Sequence, residues 1–171
     1  LYCRENALRA LYSSEDIHAV MQALEFLNAN EQLLPHKKIL ADGLLSFDKK
    51  EELIPLLWKK LSEFHPRMQV NLLDYIRYAS SNWKDEMLSM LETSQDMEIQ
   101  IACVRYFGRY QDERSVSFLL HHAKEEKEGV WELQNACISS LAMYPGPQTL
   151  EILKKEIYSK NWYVRHNAAK S

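Results

Sequence analysis

Five short strings recur along the chain at a nearly constant interval: Cys3-Arg4-Glu5-Asn6-Ala7, Met68-Gln69-Val70-Asn71-Leu72, Ile99-Gln100-Ile101-Ala102-Cys103, Leu133-Gln134-Asn135-Ala136-Cys137 and Val164-Arg165-His166-Asn167-Ala168. Their first positions, 3, 68, 99, 133 and 164, are separated by 65, 31, 34 and 31 residues. The interval of 65 spans two units, with a weaker copy at His36-Lys37-Lys38-Ile39-Leu40, so the period is about 32. An internal repeat of this length restricts the chain to arrays in which each unit buries its apolar face against its neighbours.

Each string begins a helix. Four residues after its last position comes another apolar residue, namely Leu11, Leu44, Ile76, Phe107 and Leu141, at the i, i+4 spacing of one helix face. A second helix follows in each unit and aligns independently on Ile17, Ile54, Val116 and Leu150, with apolar residues three positions on at Val20, Leu57, Leu119 and Leu153. The first helix of a unit is termed A and the second B. The third B copy, around Trp83 to Ser94, has an ambiguous register near Met87.

Two positions into each B helix stand Ala19, Leu56, Phe118 and Ile152, on the side facing away from helix A. A second apolar row needs a second neighbour, and stacking supplies it as the B helix of the next unit. Pro35 and Pro66 precede A strings, Pro147 opens a B helix and Pro55 is placed in the first turn of another. Asp48, Asp96 and Asp112 are placed as N-caps, and Pro145 and Gly146 separate the last complete pair.

Composition agrees. Only 4 glycines and 5 prolines in 171 residues argue against the frequent turns of an all-β protein, and 46% hydrophobic residues suffice for a core. A net charge of -3 lacks the global positive field of a nucleic-acid binder, although a local basic patch is compatible with it. No apolar run approaches a membrane span, and the start has no signal-peptide pattern, so a cytoplasmic protein or a cytoplasmic soluble domain is expected. Three widely spaced cysteines form neither a disulfide framework nor a CxxC motif. Because the pattern from Asn161 to Ser171 stops after about half a unit, the chain reads as a piece of a longer one.

The run Asn161-Trp162-Tyr163-Val164-Arg165-His166-Asn167-Ala168-Ala169 resembles the Asp-x-x-Val-Arg-x-x-Ala signature of HEAT repeats, in particular their short bacterial, phycobilisome-lyase-like branch. Glu52-Leu53-Ile54-Pro55-Leu56-Leu57 is similar to that family's B-helix opening, and Asp96 with Ile99-Gln100 is a weaker copy of the signature. The resemblance covers nearly the whole chain. It departs at the second string position, where arginine stands only at Arg4 and Arg165, with Lys37, Gln69, Gln100 and Gln134 elsewhere. A tetratricopeptide array has a similar period, but its Trp, Gly and Tyr positions are not repeated. The resemblance implies an all-α, right-handed α-α superhelix, a HEAT-like solenoid of about five hairpins plus a partial terminal repeat, filling residues 1–171 as one repeat domain.

A search for chemistry finds little. None of His18, His36, His65, His121, His122 and His166 lies in HExxH or beside cysteines at ligand spacing, so a metal site would draw on different repeats. The iron-binding HEAT enzymes that resemble deoxyhypusine hydroxylase use His-Glu dipeptides, and this chain has none. Cys103 and Cys137 share the slot of Ala7 and Ala168, where helix A packs tightly, and are read as small buried hydrophobes. No phosphate loop and no nucleophile elbow is present. No cofactor, metal or catalytic set is expected, and the balance favours a module that is not an enzyme.

Binding residues are sought on the outer faces. Five positions into the B helices stand Gln22, Lys59, His121 and Lys155, a modestly basic row beside Phe26, Glu63, Glu125 and Ser159. Lys59 with Glu63 and His121 with Glu125 read as i, i+4 pairs of a solvated face. Lys124 to Glu128 reads as a solvated helix end, and Trp58 as a core residue. Trp131 and Trp162 each lie two residues before an A string and should project along one edge, either as staples of the loops or as aromatic anchors for a partner. The favoured reading is a scaffold that binds a protein or peptide through Lys59, His121, Lys155, Trp131 and Trp162. The alternatives are a HEAT-like nucleic-acid-binding or DNA-repair protein, or a lyase-type enzyme.

Overall fold

The computed structural model describes residues 6, 10–13, 16–33, 37–125 and 129–171. Most of the first string, with Pro35, His36 and residues 126–128, falls outside that set. Residues 6 and 10–12 are helical, and beyond them the described residues form ten α-helices and no strand: α1 (Ile17–Ala29), α2 (Lys37–Leu45), α3 (Lys50–Lys60), α4 (Pro66–Ala79), α5 (Lys84–Thr93), α6 (Met97–Phe107), α7 (Val116–Ala123), α8 (Trp131–Leu141), α9 (Pro147–Glu156) and α10 (Trp162–Lys170). Odd helices are the B elements and even ones the A elements. The ambiguous third B copy is α5, which buries Met87 and Leu91.

Local chemistry sets the helix starts. The Asp96 carboxylate accepts from the backbone of Glu98 and Ile99, and Asn161 accepts from Tyr163, satisfying amides that the first turn leaves open. Asp16 caps α1 in the same way. Asp112 caps the 3-10 turn Glu113–Ser115 that leads into α7. Pro66 and Pro147 occupy first-turn positions, where the missing N–H costs nothing.

Two expectations fail at α3. The helix starts at Lys50, so Pro55 lies in its interior and not in the first turn. Its N-cap is Lys49, which offers no side-chain cap, and Asp48 lies outside. The physical reason is the charge pattern: Glu51 and Glu52 extend the helix upstream at its positive end, while Lys59 and Lys60 complement the negative one.

The chain divides into two compact units, Leu1–Ser80 and Ser81–Ser171. In the first, α1 packs on α3, α2 on α4, and α3 on α4. In the second, A helices stack in the order α6, α8, α10, while α7 packs on α9. The closest B-to-A neighbours there are α5 with α6, α7 with α8 and α9 with α10, so each B helix meets most closely the A helix that follows it. Like helices lie on like helices one period apart, the arrangement a repeat requires.

The A strings form the core. Met68, Ile99, Leu133 and Val164 at the first position are buried, as are Leu72, Cys103, Cys137 and Ala168 at the fifth and Leu44, Ile76, Phe107 and Leu141 four residues beyond the string. The outward B row behaves unevenly: Ile152 is buried, Ala19 and Phe118 are half-buried and Leu56 is exposed. The expected core position Leu150 of α9 is exposed, and so is Ile157, seven residues on at the end of that helix, where the B pattern is again apolar.

The second string position acquires a role. Gln69 Nε2 donates to Phe64 O at 2.7 Å, Gln100 Nε2 to Ser94 O at 2.9 Å, Gln134 Nε2 to Ala123 O at 3.2 Å, and Arg165 Nη1 to Ser159 O and Lys160 O at 2.8 Å. Each acceptor is a carbonyl at or just past the end of the preceding B helix, where helical bonding leaves it open. Any long side chain ending in N–H donors serves, which is why glutamine replaces arginine here.

Candidate interaction surface

In the second unit the starts of α8 and α10 carry four aromatic rings in a continuous chain. The Trp131 ring stacks on that of Tyr163, with centroids 5.4 Å apart and planes at 22°. Tyr163 meets Trp162 edge to face at 5.0 Å, and Trp162 lies flat over His166 at 5.2 Å and 13°. The Asn161 cap fixes where α10 begins and so places Trp162 and Tyr163 in its first turn. Asn167 Nδ2 donates to Asn135 Oδ1 at 2.8 Å, tying the same two helices together.

Trp131 is half-buried, but Trp162 is 58% exposed, Tyr163 55% and Tyr158, four residues before Trp162 in the chain, 86%. Large aromatic surface left in water at one edge is unusual for a side chain whose only role is packing. The sequence reading places Trp131 and Trp162 along one edge, and the structure does bring them together. The sequence reading misses the ring between them, Tyr163, which lies 32 residues after Trp131, one more than the 31 that separate the two strings.

The basic row divides between the units. Lys59 is exposed on α3 of the first, and His121 on α7 and Lys155 on α9 are exposed on neighbouring B helices of the second. Near the expected i, i+4 pairs the described residues make other contacts: Lys60 pairs with Glu25, and Glu125 bonds His122, Oε2 to Nδ1 at 2.7 Å. Other cations face carboxylates: Arg114 contacts Asp85 and Asp112, both at 2.7 Å, and Arg77 contacts Asp74 at 2.6 Å. Lys155 Nζ lies 3.9 Å from the buried carboxylate of Glu156. Trp58, expected in the core, is half-buried.

Cys103 and Cys137 are fully buried and free. Burial pushes the Cys103 thiol up to about 12, and that of Cys137 rises through burial and then through the charge of Glu125. Neither presents the exposed, low-pKa thiolate that nucleophilic chemistry needs. In the first unit a shallow groove of about 750 Å³ is lined by Asp16, Ile17, His18, Lys49, Glu52, Pro55 and Leu56, a mixture of both charges with apolar contacts. No helix among the described residues is long and apolar enough to cross a membrane.

The family model described as HEAT repeats matches residues 84–171, just over half of the chain. No curated protein and no solved structure matches it.

Proposed function

The chain belongs to the HEAT-repeat family, and from that we propose that it is a non-catalytic interaction module whose aromatic edge, Trp131, Tyr163, Trp162 and His166, receives a protein or peptide. HEAT repeats commonly serve as protein-interaction scaffolds. The observation that carries the reading is the exposure of Trp162 and Tyr163 on a framework of stacked rings and a cross-helix asparagine pair. Rigid aromatic groups presented in this way bury large area on binding at little entropic cost, and tryptophan and tyrosine dominate interface hot spots. His121 and Lys155, exposed on adjacent B helices of the same unit, and Lys59, exposed on α3 of the first unit, are not among the four groups of that edge.

A nucleic-acid groove gains no support, since the cations Lys60, Arg77 and Arg114 already face carboxylates. Quantitative affinity purification from the native cell, comparing wild type with Trp162→Ala and Tyr163→Ala, tests the proposal. Proteins retained by wild type should be depleted from both variants while their helical circular dichroism and melting stay unchanged. Equal recovery by all three would remove the edge from the contact.

A further inference from the structure

At the C-terminal end of α7, ring nitrogens of His121 and His122 and a carboxylate oxygen of Glu125 all lie within 4.8 Å of one another. The sequence reading requires different repeats to assemble such a group, yet here one helix end supplies it. The turn after α7 is what brings Glu125 back: the Lys124 and Glu125 amides donate to the carbonyls of His121 and His122 as the helix closes. The His122 ring is held on one side by Phe118, at 4.2 Å between centroids, and on the other meets His121 edge to face at 4.8 Å.

We propose that His121, His122 and Glu125 form a binding site for a divalent transition-metal ion of the zinc type. Two imidazole nitrogens and one carboxylate oxygen are the donor set such ions prefer, and a three-ligand site leaves a coordination position open. With metal-ligand distances of about 2.1 Å, neighbouring ligand atoms on one ion lie about 3–3.5 Å apart. The 2.7 Å between His122 Nδ1 and Glu125 Oε2 is already close to that. The ion takes the place of the hydrogen between those atoms, and the His122 ring keeps its one N–H by carrying it on Nε2, so that Nδ1 offers its lone pair. His121 is exposed, so its side chain is free of packing that would oppose the rotation that completes the set.

Two further features favour a cation. The site lies in the last turn of α7, where the helix dipole is negative. It also opens on a shallow cleft of about 450 Å³ lined by Ser117, Leu120, His121, Lys124 and Glu125, which leaves room for water or an exogenous ligand at the open position. The exposed Lys124 ammonium opposes the ion, and its long stem lets it turn into solvent. The site does not depend on the aromatic edge, since none of its residues belongs to that cluster.

Zinc chloride titrated into the full chain by isothermal calorimetry should give saturable binding of one ion. His121→Ala, His122→Ala and the near-isosteric Glu125→Gln should each weaken it by about tenfold or more, while His18→Ala in the first unit leaves it unchanged. Cobalt(II) in place of zinc should produce visible absorption that the same three variants lose. Absence of saturable binding with zinc in large excess, or binding that Glu125→Gln and both alanine variants leave intact in folded protein, would overturn the site.

Discussion

Gln100 reaches back along the chain to hold the carbonyl of Ser94 at 2.9 Å, the residue that caps the end of α5. Gln69, Gln134 and Arg165 make the equivalent bond from their own repeats, so one side chain per unit fastens an A helix to the B helix before it. Gln100→Leu should therefore lower stability by about 1 kcal/mol, the net worth of one such hydrogen bond, and Gln100→Arg should restore most of it. Urea unfolding of the two variants checks this. Equal stability of Gln100→Leu and wild type would contradict the fastening role.

Gly108 follows α6 where α8 crosses it. A Cβ there would lie 2.6 Å from Ser140 Oγ and 3.2 Å from Ser140 Cα. The backbone at Gly108 is right-handed helical, so alanine is conformationally acceptable and only the contact opposes it. Gly108→Ala should cost roughly 1–3 kcal/mol, measured by thermal or urea melting. Adding Ser140→Ala should not fully restore stability, because the backbone contact remains and the bond from Ser140 Oγ to Val104 O is lost. A stabilised Gly108→Ala would refute the close approach.

Tyr144 joins neighbouring repeats through a single hydroxyl, which donates to Phe107 O at 3.0 Å, accepts from Asp112 N at 3.0 Å and lies 3.1 Å from Ser115 Oγ. Tyr144→Phe leaves a largely buried backbone amide and carbonyl without this partner. A loss of about 1–3 kcal/mol is expected in denaturant unfolding. No loss would mean that water replaces the hydroxyl without penalty.

Much of this was legible in the sequence, and the reason is periodicity. The string positions that repeat every 32 residues or so are those that set one A helix on the next, where Asn135 meets Asn167 and Trp131 meets Tyr163, each pair one residue beyond strict repeat equivalence. Less legible were features that belong to one repeat. Pro55 falls inside α3 because that helix starts upstream of the repeat alignment, with acidic residues in its first turn, and Leu150 and Ile157 follow the B pattern yet stay exposed. The grouping of His121, His122 and Glu125 was legible only in part, as the i, i+4 spacing of His121 and Glu125; that His122, at i, i+3, bonds the same carboxylate appears only in three dimensions. The second string position showed its residue types in the sequence, but its carbonyl acceptors only in three dimensions.

The Asp112 carboxylate, held by two bonds from the Arg114 side chain at 2.9 and 2.7 Å, is lowered from the usual 3.8 to about 2, chiefly by that interaction. Because the folded value lies below the unfolded one, its contribution is complete above about pH 4 and disappears as pH falls through about 2. Asp112→Asn keeps an oxygen for the cap and removes the charge. The variant should be less stable than wild type at neutral pH, with the difference closing on acidification towards pH 2 in urea titrations. A difference independent of pH would exclude the ion pair as its source.

Site-specific photo-crosslinking tests most directly whether the aromatic edge is where this protein meets its partner. A photoreactive amino acid placed at position 158, where Tyr158 is 86% exposed, is compared with the same group at position 59 on the first unit. Discrete protein adducts from position 158 in native cells, competed by excess wild-type chain and absent from position 59, are the expected result. Adducts that arise equally from both positions, or from position 59 alone, would contradict the account.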